Sequence, residues 1–212
     1  MAEYHFTTPI SGEQVKLLKI GDILFISGTV LSLRDAGHRR ALEYLNKGKP
    51  LPVNFSGMAL YHVGPVVKRE GDRWRVLSAG PTTSARLEMY EAEFIEKTGV
   101  RVIIGKGGMG SKTTEACRRF GVVYTIFTGG AGALAAKSIE EVERVEWLDL
   151  GIPEALWVMR VREFGPLTVV IDSNGENFYD NVKKEVEKNL RKAYSIIGLS
   201  QNEEGIQAEK WS

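Results

Sequence analysis

Cysteine is nearly absent from this sequence, since Cys117 is the single one among 212 residues. A lone cysteine forms no disulfide within the chain, and one thiolate does not hold a zinc or iron-sulfur site that needs three or four ligands. Cys117 lies in the segment SKTTEACRRFG, which has a helical pattern, and we expect it to be a small buried core residue. Any cluster that serves this protein must therefore be bound by another chain.

An excess of charge of one sign is also missing. The 28 Lys and Arg residues against 27 Asp and Glu residues leave a formal net charge of +1, which provides no long-range field to attract a nucleic-acid backbone. No apolar run approaches the roughly 20 residues of a membrane span. The start, MAEYHFTTPISGEQ, lacks the basic and apolar stretches of a signal peptide. We expect a cytoplasmic protein that binds neither nucleic acid nor membrane.

The residues that are present suffice for one sizeable core, because 43% are hydrophobic and 26% are charged. Runs of branched and apolar residues predict strands, and helical spacing predicts helices over 35–45, 87–98, 111–120 and 182–197. The residues before Lys19 have the pattern of a polar lead-in. The predicted strands are ILFISGTV, SGMALYHVGPVVKR, RWRVLSAG, VRVIIG, VVYTIF, EALWVMRVREFG and LTVVID.

Strands and helices alternate in the middle of the chain, and no repeat or linker divides it. We therefore predict an α/β fold, a mixed sheet flanked by helices, in a single domain over 1–198 with a polar tail over 199–212. Gly64-Pro65 interrupts the second strand run, and we expect a bulge or a sheet edge there.

Four connecting segments are unusually rich in glycine, threonine and cations. Each follows a predicted strand and precedes a predicted helix, where backbone N–H groups and the helix dipole favour an anion. Ligands of open α/β sheets bind at that edge. We predict an anion-binding cleft with Arg34, Arg86 and Lys106 as its fixed charges, because arginine grips a planar carboxylate with two hydrogen bonds. The segments are Leu33–Arg39, Gly80–Arg86, Gly105–Gly110 and Thr128–Gly132.

Several of these residues also have a purely structural explanation. Taken alone, GGAGA is more typical of close helix packing than of a binding site. His38, three residues after Asp35, can form a capping and packing pair as readily as it can act as an acid–base group. Thr82, or another residue of 82–84, could simply cap the helix that follows. Two further histidines are expected to be structural, His5 and His62.

The segment GKGGMGSKTT, residues 105–114, comes close to a nucleotide-binding P-loop. In a P-loop the lysine and the hydroxyl residue directly follow the last glycine and reach the phosphates and Mg²⁺. Here Ser111 is inserted before Lys112 and Thr113, and one residue of helix turns a side chain by about 100°. Apart from Asp172 in VVIDSNG, no later strand ends in an aspartate that could obviously hold the metal ion. A nucleotide hydrolase is therefore kept only as a distant alternative.

Five motifs occur together in a recognisable order and spacing: RDAGHRR after an SGTV strand, HVGP, GPTTSAR with Glu88 just beyond it, GKGGMG, and FTGGAGALAA. They resemble the β subunits, or C-terminal halves, of class I fumarate hydratases and the similar L-tartrate dehydratases. The resemblance runs from Ile10 to Ile197, with departures at Gly37, where the family often has alanine, and at Leu31-Ser32. It implies the swivelling β/β/α domain, which docks over a cluster-bearing domain.

The resemblance implies a [4Fe-4S] cluster on a partner α subunit, with three cysteine ligands there and one iron left open for substrate. This chain would close the other side of the site and would ligate no metal itself. Arg34, Arg86 and Lys106 would bind the substrate carboxylates, and Thr82 would transfer the proton at C3. Four residues would support them: Asp35, His38, Gly105 and Gly107.

The function implied is that of the β subunit of a class I fumarate hydratase. Such an enzyme reversibly hydrates fumarate to (S)-malate and would be active only with the α subunit, as a heterodimer or heterotetramer. The β subunit of an L-tartrate dehydratase is the alternative within the same class of reaction. A non-catalytic anion-binding or scaffold subunit stays open as a different class of function.

Overall fold

A computed structural model describes residues 1–196 of the chain. These residues belong to two compact units, Met1–Asn177 and a C-terminal unit that begins at Phe178. The tail predicted over 199–212 lies outside the described residues. Among the described residues, no helix is long and apolar enough to cross a membrane.

Nine strands and six α-helices form within residues 1–196. The strands are β1 (Glu3–Thr7), β2 (Ile23–Ser32), β3 (Ala59–Tyr61), β4 (Val66–Glu70), β5 (Arg73–Ser78), β6 (Val102–Gly105), β7 (Val123–Ile126), β8 (Ile139–Glu146) and β9 (Leu156–Ile171). The helices are α1 (Gly12–Leu17), α2 (Asp35–Asn46), α3 (Glu88–Thr98), α4 (Ser111–Phe120), α5 (Gly132–Lys137) and α6 (Phe178–Ile196). Two 3₁₀ turns cover Ser84–Leu87 and Leu148–Leu150.

Seven strands form one mixed sheet in the order β1-β2-β3-β6-β7-β9-β8. From β1 to β7 in this order, each strand runs parallel to the next. Strand β9 runs antiparallel to β2, β7 and β8. The additional pairing of β2 with β9 closes β2, β3, β6, β7 and β9 into a ring. Strands β4 and β5 form a separate two-stranded ribbon. The predicted α/β class with a mixed sheet and flanking helices is confirmed.

The predicted helices match the structure closely where glycine marks their ends. Helix α4 spans the predicted 111–120, and α3 begins one residue after its predicted start. Both stop at a glycine in the left-handed conformation, Gly99 at φ 70° and Gly121 at φ 66°, where a side chain would be strained. Helix α6 begins at Phe178, four residues before its predicted start, and its predicted end lies outside the described residues.

The prediction for the first residues was wrong. Glu3–Thr7 is strand β1, paired in parallel with β2, and not a polar lead-in. Helix α1 follows, and it begins with a capping box: Gln14 N–H donates to Ser11 Oγ at 3.2 Å, while the Gln14 side chain accepts the Ser11 N–H at 3.0 Å. The motif S-x-x-Q is a sequence signal for a helix start, so α1 was predictable.

The Gly64-Pro65 interruption is larger than the expected bulge or edge. The chain leaves the main sheet after Tyr61 and enters the ribbon at Val66, so the run SGMALYHVGPVVKR supplies strands to two different sheets. The two runs predicted near the C-terminus do the reverse, because they form one strand of 16 residues, β9. A strand of that length allows β9 to pair with three others.

The core has two layers, one on each face of the sheet. Along β3, Ala59 and Tyr61 belong to one hydrophobic cluster and Leu60 to the other, as the alternation of side chains along a strand requires. The second cluster includes the buried faces of α2, α3 and α4. Cys117 lies in it, fully buried, and burial raises the pKa of its thiol. The prediction that Cys117 is a small core residue is confirmed.

Three ionisable side chains are also fully buried: His38 on α2, His62 after β3 and Glu91 on α3. His62 Nε2 lies 3.0 Å from Glu91 Oε2, and His38 Nε2 lies 3.5 Å from the same oxygen. Burial alone would raise the pKa of Glu91, but the two histidines outweigh it and lower this pKa to about 2. Burial lowers the pKa of His62, against the opposing effect of Glu91.

The lowered pKa of His62 predicts a specific dependence of stability on pH. Its ordinary pKa is 6.5, so the unfolded chain binds a proton more readily than the folded one, and His62 makes the free energy of unfolding fall as the pH drops. One such group can change the free energy of unfolding by at most about 1.4 kcal/mol per pH unit. We expect the free energy of unfolding of His62→Gln, measured by denaturant titration, to fall less steeply than that of wild type between about pH 7 and pH 5.

His5 provides a matched control of opposite sign. It is exposed and its hydrogen bonds to Glu3 and Glu163 raise its pKa, so its contribution to stability is present below the unfolded pKa and is lost as the pH rises. The free energy of unfolding of His5→Gln should therefore fall more steeply than that of wild type as the pH is lowered. Equal slopes for wild type and His62→Gln would show that His62 does not titrate abnormally.

Candidate functional site

Four parallel strands bring their carboxyl ends to one edge of the sheet. Because β2, β3, β6 and β7 are parallel, the residues that follow them lie at the same edge. Arg34 follows β2, His62 follows β3, Lys106 follows β6 and Thr128 follows β7. Three of the four predicted loops thus meet there by strand direction alone.

The fourth loop, which contains Thr82 and Arg86, reaches this edge by another route. It follows β5, a strand of the separate ribbon and not of the main sheet, so the direction of the main-sheet strands does not place it. Its backbone is instead fastened to the edge. Thr82 N–H donates to the His62 carbonyl at 2.7 Å, and Ser84 N–H donates to the Lys106 carbonyl at 3.0 Å.

Arg34 lies where the loop after β2 meets helix α2. Its Nε lies 3.3 Å from Glu154 Oε1, a charge pairing without hydrogen-bond geometry, and its side chain is 24% exposed. A Cβ on Gly64 would lie 2.6 Å from Arg34 Nη1, so the glycine of the HVGP motif makes room for the guanidinium. The Arg34 guanidinium is thus held between two other segments of the chain.

Arg86 projects from the 3₁₀ turn and pairs with Asp35. Its Nη2 donates to Asp35 Oδ2 at 2.7 Å, and both side chains are well exposed. An exposed pair of this kind contributes little to stability, about 0 to 1 kcal/mol, but it does orient the guanidinium. Asp35, predicted as a supporting residue, therefore lies beside Arg86 and joins the first loop to the second.

Lys106 is exposed, and its ammonium forms no ion pair with any residue of 1–196. Two glycines define its surroundings: a Cβ on Gly129 would lie 3.1 Å from Lys106 Cδ, and one on Gly105 would lie 1.8 Å from Ser84 Oγ. Gly107 has φ 75°, a conformation that favours glycine. Lys106 is therefore a cation without an internal counter-charge at a crowded loop junction.

Thr82 is half-buried, and its hydroxyl does not cap the following helix. The 3₁₀ turn begins at Ser84 with Thr83 as its N-cap, and no side chain makes a capping hydrogen bond there. Ser84 is also engaged elsewhere: its Oγ accepts the Lys106 N–H at 3.2 Å and lies 2.9 Å from His62 Nδ1. The capping explanation for this segment was wrong, and the backbone of Thr82 is fixed beside His62.

His38 lies behind Arg34 and not beside it on the surface. It is fully buried, and its Nδ1 donates to the Arg34 carbonyl at 2.9 Å. A side chain in that position does not touch a ligand in the cleft. His38, His62 and Glu91 each offer one possible ligand atom, and these three atoms lie within 4.8 Å of one another, close enough to be ligands of one ion.

The helix N-termini at this edge are filled by carboxylates of the chain itself. At the start of α2, Glu154 Oε2 accepts the Ala36 N–H at 2.8 Å. At the start of α4, the Glu88 carboxylate accepts the N–H groups of Gly110 at 2.7 Å, Lys112 at 3.1 Å and Thr113 at 3.2 Å. The N–H groups bound by Glu88 at the start of α4, and the Ala36 N–H at the start of α2, are therefore not free for a ligand, which argues against the expected use of the helix dipole at α4.

The same contacts remove the basis for a P-loop. In a nucleotide site the phosphates take the backbone N–H groups at the start of the helix, and here Glu88 takes them and also accepts the Thr113 hydroxyl at 2.7 Å. Asp172, the aspartate that could have held Mg²⁺, instead accepts the N–H groups of Asn174 and Glu176 in a tight turn. The nucleotide-hydrolase alternative has no support in this geometry.

The chain is similar to known proteins over most of its length. The family model described as Fumarase C-terminus matches residues 2–182. The L(+)-tartrate dehydratase subunit beta of Escherichia coli (strain K12) is 47% identical over 178 residues, covering 84% of this chain and 87% of that protein.

Two other relatives extend the comparison. The putative L(+)-tartrate dehydratase subunit beta of Methanocaldococcus jannaschii is 41% identical over 198 residues, 93% of this chain and 100% of that protein. The putative fumarate hydratase class I of Geobacillus stearothermophilus is 42% identical over 177 residues, which are 83% of this chain but 33% of that longer protein. By its match to the family model and by these identities, the chain belongs to the Fumarase C-terminus family.

Proposed function

We propose that this chain is the β subunit of a hydro-lyase that adds or removes water on a small dicarboxylic acid, with fumarate and L-tartrate as the candidate substrates. The observation that carries the proposal is the convergence of Arg34, Arg86 and Lys106 at one edge of the sheet. Fumarate hydration fits the family, and the 47% identity to a tartrate dehydratase subunit supports L-tartrate equally. The names of these relatives also point to an α subunit as the partner.

The three cations suit the charge that develops in such a reaction. Removing a proton next to a carboxylate places additional negative charge on that carboxylate, so cations held there stabilise the transition state more than the ground state. Arg34 and Arg86 are each oriented by an internal carboxylate, Glu154 and Asp35, and keep other N–H groups for a ligand. Lys106 has no such partner among the described residues and contributes a full charge.

Thr82 is proposed to transfer the proton at C3. A threonine hydroxyl is a poor base unless positive charge nearby stabilises its ionised form. The backbone of Thr82 is held near that of Lys106, because its neighbour Thr83 is bridged to Lys106, and the Lys106 ammonium is the proposed source of that charge. The hydroxyl makes no hydrogen bond that caps the next turn, so it can serve a ligand.

The [4Fe-4S] cluster is proposed to belong to the α subunit, because this chain does not fit it. Cys117 is its one cysteine. That thiol is fully buried in the second core cluster, and burial raises its pKa, which disfavours the thiolate that iron needs. When bound to the partner, the cluster would supply an open iron that polarises the substrate hydroxyl as a Lewis acid.

Expression with and without the α subunit tests this function. We expect the isolated chain, after anaerobic reconstitution with iron and sulfide, to bind no cluster and to turn over neither substrate. The complex should turn over L-tartrate or fumarate, and Cys117→Ser should leave that activity essentially intact. A stoichiometric [4Fe-4S] cluster and turnover in this chain alone would contradict the two-subunit proposal. A complex that is inactive toward both acids would contradict the proposed reaction.

Two lysines of the GKGGMGSKTT segment should differ sharply when replaced. Lys106→Met should lower kcat/KM of the complex by roughly a hundred- to several-thousand-fold, because losing one partner of a desolvated charge pair costs about 3 to 5 kcal/mol. Lys112→Met is the matched control: its side chain is exposed, and only its backbone is used, by Glu88. Steady-state kinetics of both variants measure this difference. Near-normal kcat/KM for Lys106→Met together with loss of activity in Lys112→Met would contradict the assignment of Lys106 to substrate binding.

The hydroxyl of Thr82 can be tested without changing the shape of its side chain. Thr82→Val should lower kcat by about 10² to 10⁴ with little change in KM if the hydroxyl transfers the proton, and Thr82→Ser should restore part of the loss. Thr83→Val is the control, since Thr83 is the exposed neighbour. Near-normal kcat for Thr82→Val, with Tm measured alongside, would remove Thr82 from the catalytic residues.

A further inference from the structure

The buried group of His38, His62 and Glu91 connects to the binding loops through its outer nitrogens. Each histidine turns Nε2 toward Glu91, at 3.5 Å for His38 and 3.0 Å for His62. The opposite nitrogen of His38 lies 2.9 Å from the Arg34 carbonyl, and that of His62 lies 2.9 Å from Ser84 Oγ. One buried carboxylate is therefore linked, through two imidazoles, to two different loops.

The connection through His62 continues to Lys106 and Thr82. Ser84 Oγ accepts the backbone N–H of Lys106 at 3.2 Å. The carbonyl of His62 accepts the N–H of Thr82 at 2.7 Å. The backbone of three of the four proposed site residues, Arg34, Thr82 and Lys106, is thus held by His38, His62 or Ser84.

The ends of this path fix part of its hydrogen-bond pattern. The Lys106 N–H can only donate, so Ser84 Oγ accepts it, and the Ser84 hydroxyl can in addition either donate to or accept from His62 Nδ1. Where Ser84 donates, a neutral His62 carries its proton on Nε2, which faces Glu91. The Arg34 carbonyl can only accept, so His38 Nδ1 carries a proton.

We propose that Glu91, His38, His62 and Ser84 are positioning residues that hold the Arg34, Thr82 and Lys106 loops in the geometry that binds the dicarboxylate. The inference rests on the proposed function of those loops. All four positioning side chains are fully buried, so they act on the ligand only through the backbone of the site residues. A displacement on the order of 1 Å at such a site can cost about 100-fold in rate.

A metal ion held by the same three side chains is the competing explanation. Its ligand atoms would be the two Nε2 atoms and a Glu91 oxygen, and none of these atoms has a partner with hydrogen-bond geometry. An ion would require both Nε2 atoms to be unprotonated. Positioning needs only the contacts seen among these residues, whereas metal binding needs a further component, and for this reason we favour positioning.

Ser84→Ala tests the proposal with the smallest change, because it removes one buried hydroxyl and leaves the volume nearly intact. Thr125→Val is the matched control: Thr125 is equally buried, and its Oγ1 donates to the Ile103 carbonyl at 3.0 Å, a contact between strands β6 and β7 that involves no residue of the four loops. Both variants should lose a similar amount of Tm. The assay is kcat/KM of the complex well below Tm, with hydrogen exchange of the backbone amides of 33–36, 82–86 and 105–107.

We expect Ser84→Ala to lower kcat/KM on the order of 10- to 100-fold, largely through KM, and to speed amide exchange in these segments. Thr125→Val should change neither. Glu91→Gln should act like Ser84→Ala if it folds. Equal exchange in Ser84→Ala and Thr125→Val overturns the proposal even if the complex turns over neither acid, so its failure is distinct from failure of the proposed function. Stoichiometric zinc or iron in the isolated chain, lost in Glu91→Gln, would likewise overturn it.

Discussion

Because β2, β3, β6 and β7 run parallel, every loop that leaves their carboxyl ends must start from the same edge of the sheet. Parallel strands need crossover connections, and here the crossovers are the helices and the ribbon that separate the motifs along the chain. The constraint explains how Arg34 and Lys106, 72 positions apart in the numbering, come to share one site. It also fixes where a ligand can bind, since the opposite ends of these strands carry other connections.

Internal carboxylates then determine which positive groups remain for a ligand. Glu88 accepts three N–H groups at the start of α4, and Glu154 accepts the Ala36 N–H at the start of α2. Asp35 accepts a hydrogen bond from one side of Arg86. The backbone amides bound in this way are withdrawn from a ligand. The side-chain cations stand in defined places beside these carboxylates, which suits the proposed dicarboxylate better than a phosphate cradled by backbone groups.

The local signals in the sequence were sufficient for the helices and for most strands. Helical spacing and the terminal glycines Gly99 and Gly121 located α3 and α4 to within one residue. Strand β1 was missed because it is an edge strand with exposed polar side chains, and its pairing with β2 is not a local property. The division of one run between β3 and the ribbon likewise depends on packing that no window of sequence contains.

The cations of the site could be named from the sequence, whereas the groups that hold them could not. Motif order predicts Arg34, Arg86 and Lys106 as site residues, but Glu154 comes from a segment 120 positions after Arg34 and carries no signal of its own. Glu91 did carry one. On α3 it falls on the face that buries Leu87, Phe94 and Ile95, and a charged residue in an apolar helical stripe indicates a buried group that needs partners.

Stability does not explain why a carboxylate occupies that position. Moving a charge from water into a core costs several kcal/mol, and apolar residues of similar volume often replace a buried ion pair at no loss or with a gain. The histidines that lower the pKa of Glu91 to about 2 offset the cost of its charge, but a leucine there would incur none. An apolar replacement would not attract the two imidazoles, whose Nε2 atoms both face the carboxylate while their opposite nitrogens contact the Arg34 carbonyl and Ser84 Oγ. Glu91 is therefore better understood by the geometry it imposes on the loops of Arg34 and Lys106 than by the stability it contributes.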